Sequence, residues 1–352
     1  MQRLLVVLPN WFGETLFATP FLNALRAGRP EAFIATLGWP QCREVLLRNP
    51  HVNEQLDLDE RGASSGLMGR WRLLGALRRH RFDAAFILRR SLSRTVLVAL
   101  AGIPMRVGFA NRKSGWLLTY RVAPPRAPQH KAMTYLRLLE AIGGSAAGET
   151  YEYVVADEER RAAQEWLKAQ GLLNGRALVI LHPGANWAHK RWAPARFAAL
   201  GDRLAATRQV QVAITGGPQD VAAAESIRQS MRHPAALLAG RTTLRQLGAC
   251  LAQAGLVVSN DTGVLHIAAA LGRPLVALYG PTSPALTGPL GDPQRMAVIH
   301  HAACCPRIPC YEPDRPPHPG MDAITVEEVC DAAMKLLTCG MRDAECGMEH
   351  VQ

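Results

Sequence analysis

Asp261, Thr262, Gly263 and His266 crowd into one short segment of this 352-residue chain, and their chemistry suits an anionic, hydroxyl-bearing ligand. The segment, residues 256–289, reads LVVSNDTGVLHIAAALGRPLVALYGPTSPALTGP. An apolar run at 256–258 stops at Ser259-Asn260-Asp261. Thr262-Gly263 then opens an apolar helix that Gly272 closes, and a second apolar run at 275–278 ends in Tyr279-Gly280-Pro281-Thr282. This spacing predicts strand, tight turn, helix and strand in about the shortest βαβ form. The turn offers free helix amides, a glycine that lets a ligand approach the backbone, and the Thr262 hydroxyl. Asp261 would repel phosphate and suits sugar hydroxyls better, although an ordinary N-cap is the plainer role. His266, four residues after Thr262, lies over the same helix end unless it is simply a core histidine. With the Gly-Pro-Thr turn added, the segment reads as a site for a nucleotide-sugar diphosphate.

Other residues could join that chemistry. An apolar run at 178–181 leads into HPGANWAHKRW, where Lys190 stands at a loop-to-helix junction suited to a phosphate. Gly216-Gly217-Pro218-Gln219-Asp220 follows another apolar run, and Asp220 is placed either for a ribose diol or as a cap. Near the amino terminus, RLLVVL precedes Pro9-Asn10-Trp11-Phe12-Gly13-Glu14 and a helix expected from about Thr15 to Ala27. Glu14 at that helix start is a cap residue or, facing a substrate, a candidate general base. Arg89, Arg90 and Arg94 follow an apolar run at 84–88, at the end of a strand where open α/β sheets bind ligands. Arg112 lies in a further basic loop.

The elements that must hold these residues repeat a strand–loop–helix theme in both halves. The length favours two domains, with a linker expected over 143–157 and domains at 1–157 and 158–352. A flexible Gly/Ser loop is expected over 62–69, a helix over 71–79, a strand at 237–240, and a terminal helix over 325–337 with a loose remainder. Neither half contains Gly-x-Gly-x-x-Gly or a Walker motif, which disfavours a dinucleotide oxidoreductase and an NTP hydrolase. The formal charge is +11, unevenly spread. Residues 1–172 hold 24 Lys/Arg against 15 Asp/Glu, whereas residues 173–352 hold 16 against 14. From Arg61 to Arg126 there are fourteen basic residues and one acid, Asp83, which would build a strong positive field. The first half should meet a polyanion: nucleic acid, a phosphorylated glycolipid or an anionic membrane surface. No nucleic-acid-binding pattern accompanies the charge, so no nucleic acid is expected.

No apolar run approaches the roughly 18–20 residues of a membrane span, and no signal peptide is evident, so a cytoplasmic location is expected. The eight cysteines fit that compartment as thiols. Cys304, Cys305 and Cys310 cluster in CCPRIPC, but zinc sites usually need two close ligand pairs and only one group is well formed. A plain loop without metal is therefore expected.

SNDTGVLHIAAALGRPLVALYGPTSP at 259–284 resembles the signature of the ADP-heptose:lipopolysaccharide heptosyltransferases, glycosyltransferase family 9. PNWFGETLFATP (9–20), HPGANWAHKRWAP (182–194), GGPQD (216–220) and AGRTTLRQL (239–247) extend the resemblance over nearly the whole chain, which looks most like the heptosyltransferase II branch. The resemblance implies a GT-B fold, two Rossmann-like domains facing across a cleft, and an inverting reaction without metal or other cofactor. ADP-heptose would bind the C-terminal domain. The phosphorylated inner core of lipopolysaccharide, built on Kdo–lipid A, would bind the N-terminal one at the inner face of the inner membrane. By position, Lys190, Thr262 and Gly263 would hold the diphosphate, and Asp261 and His266 the heptose and its phosphate. Asp220 would meet the ribose, with Thr242 and Leu244 near adenine. In the basic half, Arg89, Arg90, Arg94 and Arg112 are the candidates to bind that acceptor. Family members commonly carry Asp as the proposed base; Glu14 is one methylene longer. Another nucleotide sugar as donor, or nucleotide-sugar binding without catalysis, are the rival readings.

Overall fold

The computed structural model describes residues 2–58, 66–145, 148, 150–207, 209–305, 308–310 and 318–348. Two compact units divide the chain, Met1–Val154 and Val155–Gln352, a boundary slightly before the 157/158 division expected from the sequence.

The first unit is built on strands β1 (Arg3–Val7), β2 (Phe33–Gly38), β3 (Glu54–Asp57), β4 (Ala84–Ile87), β5 (Met105–Phe109) and β6 (Tyr120–Val122). They form one parallel sheet in the order β3-β2-β1-β4-β5-β6. The second unit repeats the plan with β7 (Ala177–His182), β8 (Val210–Ile214), β9 (Ala235–Leu237), β10 (Leu256–Asn260), β11 (Leu275–Tyr279) and β12 (Met296–His300). Its order is β12-β11-β10-β7-β8-β9, again parallel. Helices on both faces bury the central strands, which is why these strands read as unbroken apolar runs instead of alternating ones. Leu5, Val7, Ala85 and Ile87 anchor the first core; Val179, Leu181, Val258, Val276 and Leu278 pack with Trp192 and Phe197 in the second.

In each sheet the strand order reverses beside the first strand. β1 is flanked by β2 and β4, and β7 by β8 and β10. Loops leaving the carboxyl ends of such a pair diverge to opposite faces and open a crevice, the usual ligand position in this architecture. Glu14 follows β1 and the arginines follow β4. Lys190 follows β7, and Asp261 follows β10.

Several local expectations change. The helix expected over 15–27 is two helices, Phe12–Leu16 and Thr19–Gly28, so Glu14 lies within the first. Pro20 in the second helix's first turn has no N–H to give, and the Thr19 hydroxyl donates to Leu16 O at 2.7 Å, restarting the helix there. The helix expected from Trp71 begins at Gly66, replacing part of the expected loop, whose residues 62–65 lie outside the described residues. The strand expected at 237–240 sits at Ala235–Leu237. The terminal helix runs over Val326–Met348, through residues expected to be loose. Two sheet-edge strands, β6 and β12, carry no clear sequence signal because each is short or half exposed.

Candidate functional site

In the second unit, the β10 turn and the loop after β7 are locked together by Asn260. This fully buried side chain accepts the Trp192 N–H at 3.2 Å and donates to Pro183 O at 2.8 Å, so one amide clamps both ends of the 183–192 loop. Arg191 adds two bonds to Ala185 O, at 2.8 and 3.0 Å. The clamped loop delivers Lys190 Nζ to within 2.6 Å of Asp261 Oδ2, and 5.0 Å from the centre of the Trp187 ring. Thr282, from the turn after β11, donates to the same carboxylate oxygen at 2.7 Å. His266 lies behind, buried, with Nε2 4.0 Å from Asp261 Oδ1. Burial by itself would raise the Asp261 carboxyl, but Lys190, His266 and Thr282 outweigh it and hold the group below its ordinary range.

Asp261 therefore does not cap the helix Gly263–Ala270. Thr262 is the N-cap residue, and its side chain makes no capping hydrogen bond. Thr262 and Gly263 stay partly open at the surface, with the Thr262 hydroxyl 3.3 Å from Ser259 Oγ. The positive end of a well-buried helix, a partly open glycine and a fixed ammonium thus meet at the β7/β10 crevice, a combination that attracts phosphate oxygens.

Of its two expected roles, Asp220 shows the cap. It is buried, accepts the Gly217 N–H at 3.0 Å and pairs with Arg191 at 3.3 Å, so it closes its own loop instead of standing open for a ribose. Gly184 has to be glycine here, because a Cβ would come within 2.5 Å of the Asp220 carboxylate. His182, at the end of β7, sits beneath with Nδ1 3.1 Å from Thr215 Oγ1. Its burial pushes the imidazole down to about 4, against a smaller opposing pull from Asp220. Thr242 and Leu244 lie beyond β9, flanking Thr243, which caps the helix Leu244–Leu251 by accepting the Gln246 N–H.

In the first unit, Glu14 Oε1 accepts a bond from Lys131 Nζ at 2.5 Å. Lys131 opens the helix Lys131–Glu140, 117 positions further along the chain. The pair lines a cavity of about 350 Å³ together with Trp11, Arg89, Arg90 and Tyr135. Burial raises the Tyr135 phenol, Glu14 adding to the effect and Arg89 opposing it. Arg89 and Arg90 are exposed at the cavity rim. Arg94 is a correction. It is only 3% exposed, and its guanidinium donates to Leu8 O and Asn10 Oδ1, bracing the loop after β1 from inside. One helical turn past Arg90, its side chain points back into the protein. Arg112 is exposed in the loop after β5 and does not line this cavity.

The family model for glycosyltransferase family 9 (heptosyltransferase) matches residues 70–313. Lipopolysaccharide heptosyltransferase 2 of Salmonella typhimurium is 30% identical over 305 residues, 84% of this chain and 87% of that one. The chain belongs to glycosyltransferase family 9. It is a glycosyltransferase of GT-B architecture, and solved family 9 structures superpose on it. The structure of E. coli ADP-heptose LPS heptosyltransferase II gives a TM-score of 0.79 at 28% identity, covering 96% of this chain and 99% of that one. The glycosyl transferase family 9 structure from Veillonella parvula gives 0.83 at 24%, covering 96% and 97%.

For a family 9 glycosyltransferase, two features escaped the sequence reading. Lys131 carries no local signal, because its partner is distant in the chain and a lysine at a helix start is unremarkable. The sequence favours a plain loop at Cys305 and Cys310, yet both sulfurs come within 4.8 Å of each other and of a His318 ring nitrogen. His318 lies across a stretch rich in proline, so its approach has no periodic or motif signature.

Proposed function

We propose that this chain moves heptose from ADP-heptose to the phosphorylated inner core of lipopolysaccharide by a direct, inverting displacement that needs no metal. The Lys190–Asp261–Thr282 cluster at an open helix N-terminus carries the reading. A nucleotide-sugar diphosphate needs cationic and N–H partners beside a group that accepts from sugar hydroxyls, and this crevice supplies both. Pairing with Lys190 offsets the repulsion that a bare Asp261 would exert on phosphate. Lys190 and the helix amides then stabilise charge growing on departing ADP, the task a metal performs in other transferases.

In the first unit, Lys131 fixes one oxygen of Glu14, and the carboxylate takes the proton of the acceptor hydroxyl as that oxygen attacks the anomeric carbon. Arg89 and Arg90 at the rim match acceptor phosphates.

No helix among the described residues is long and apolar enough to cross a membrane. Attachment to an anionic bilayer face is supported by the helix Gly66–His80, which exposes Met68 and Trp71 (65% exposed) beside Arg70 and Arg72.

The test is to mix purified protein, heptose-deficient lipopolysaccharide and ADP-heptose, and to weigh the acceptor. A gain of one heptose, absent when a UDP-sugar replaces ADP-heptose, is the expected result. A folded protein that binds ADP-heptose but adds no mass would favour a binding protein, and preferential transfer from a UDP-sugar would replace the donor.

A further inference from the structure

The loop after β12 and the residues leading to the helix Pro319–Asp322 bring together three side chains that glycosyl transfer does not use. The Cys305 and Cys310 sulfurs and a His318 ring nitrogen all lie within 4.8 Å of one another. His318 is 97% buried, by its 3% exposure, and among the described residues its Nε2 has no hydrogen-bond partner. A buried polar nitrogen without a partner is costly, and a group that meets it relieves that cost. Two sulfurs and an imidazole, with no oxygen donor in the set, exclude magnesium and calcium and suit a soft or borderline ion.

We propose that Cys305, Cys310 and His318 form a structural site for a thiolate-binding divalent cation of the zinc type. On binding, the two thiols each release one proton and the cation takes a lone pair from each sulfur and from the imidazole. His318 Nδ1 accepts the Gly320 N–H at 3.1 Å. Ligation through Nε2 leaves the ring proton on Nδ1, so this amide contact is the bond that yields. The three donors fill three positions of a tetrahedral ion, and water or another ligand completes it.

The site has a structural consequence for the neighbouring crevice. The Cys310 N–H donates to Pro281 O at 2.7 Å, and the next residue, Thr282, donates to Asp261. A cation drawing Cys305, Cys310 and His318 together would therefore fix the turn after β11 that supports Asp261. It stands apart from the reaction, so its removal should raise KM for the nucleotide sugar more than it lowers kcat.

The experiment is metal analysis of the full-length protein purified under reducing conditions, followed by cobalt(II) substitution and zinc competition against a chromophoric chelator. About one zinc per chain and a thiolate-to-cobalt charge-transfer band are expected. Cys305→Ser, Cys310→Ser and His318→Gln should each weaken zinc binding by more than about 100-fold, beyond the usual effect of residues outside the ligand set. Cys304→Ser should leave it unchanged. Iron in place of zinc, lost in the same three variants, would support the site with a different ion. Wild-type protein with reduced thiols that binds neither zinc nor cobalt overturns the proposal, even if the variants fail to fold. So does a Cys305–Cys310 disulfide in the purified protein, or a Cys304→Ser variant that loses as much affinity as the others.

Discussion

Each unit places a carboxylate–ammonium pair at the crevice beside its first strand, but the two pairs are held very differently. Glu14 and Lys131 have side chains 22% and 41% exposed, whereas Asp261 and Lys190 are 8% and 17% exposed. Glu14 has one described ammonium partner on one oxygen. Asp261 has Lys190 and Thr282 on one oxygen and His266 near the other. An ion pair near water gains little net energy because solvent screens it, and its members can exchange partners cheaply. A buried pair is fixed, and losing one member strands the other without solvent. The first arrangement suits a group that must take up and release a proton, the second a group that must hold its shape while a charged ligand arrives.

Four measurements would sharpen or break that contrast. The largest effect is expected from Glu14→Gln. Transfer should fall by about 10²–10⁴, the usual contribution of a positioned base, while calorimetry finds donor affinity unchanged. Retained turnover would remove Glu14 from the reaction. Lys190→Ala comes next and should cost about 3 kcal/mol in chemical unfolding, the low end for breaking a buried pair because Thr282 still donates to Asp261. An unchanged unfolding midpoint would mean that the second pair is as solvated as the first.

The third measurement is the pH dependence of stability. His182 is neutral in the folded state down to about pH 4, while its unfolded value is near 6.5. The unfolded chain therefore binds the extra proton first. Stability should decline as pH falls from about 6.5 towards 4, by up to roughly 3 kcal/mol. Amide exchange should quicken in β7 and β8 before β1 and β4, and His182→Gln should flatten the decline. Equal loss in both units would dissolve the asymmetry. The smallest effect belongs to Lys131→Ala. About 1 kcal/mol or less of stability should go with it, as for other exposed pairs, and its effect should show mainly in kcat.

Much of this arrangement was legible in the sequence where local chemistry and chain order coincide. The 256–282 segment announced its strand, turn, helix and second strand because a parallel strand buried on both faces needs an unbroken apolar run, and a turn at its end needs small polar residues. Glu14, Lys190, Thr262 and Gly263 could be placed beyond strand ends for that reason, because each follows such a run. Arg94 was misread because a charge count does not distinguish a guanidinium turned inward to brace two loop oxygens from one turned outward to a ligand. Asp220 stayed open between a ribose ligand and a cap, since a loop-closing carboxylate and an open one look alike until Arg191 and the Gly217 amide are placed around it.

By itself, the order of apolar runs and turns determined two parallel sheets and put reactive side chains at their carboxyl ends, because burial and turn formation act over a few neighbouring residues. Which of those side chains meet was decided only by tertiary packing. Lys131 reaches Glu14, Lys190 reaches Asp261, and His318 reaches Cys305 and Cys310 because helices and loops distant in the chain dock on a shared sheet edge. Contact of that kind depends on how far each element is carried through space, and no spacing along the chain records it.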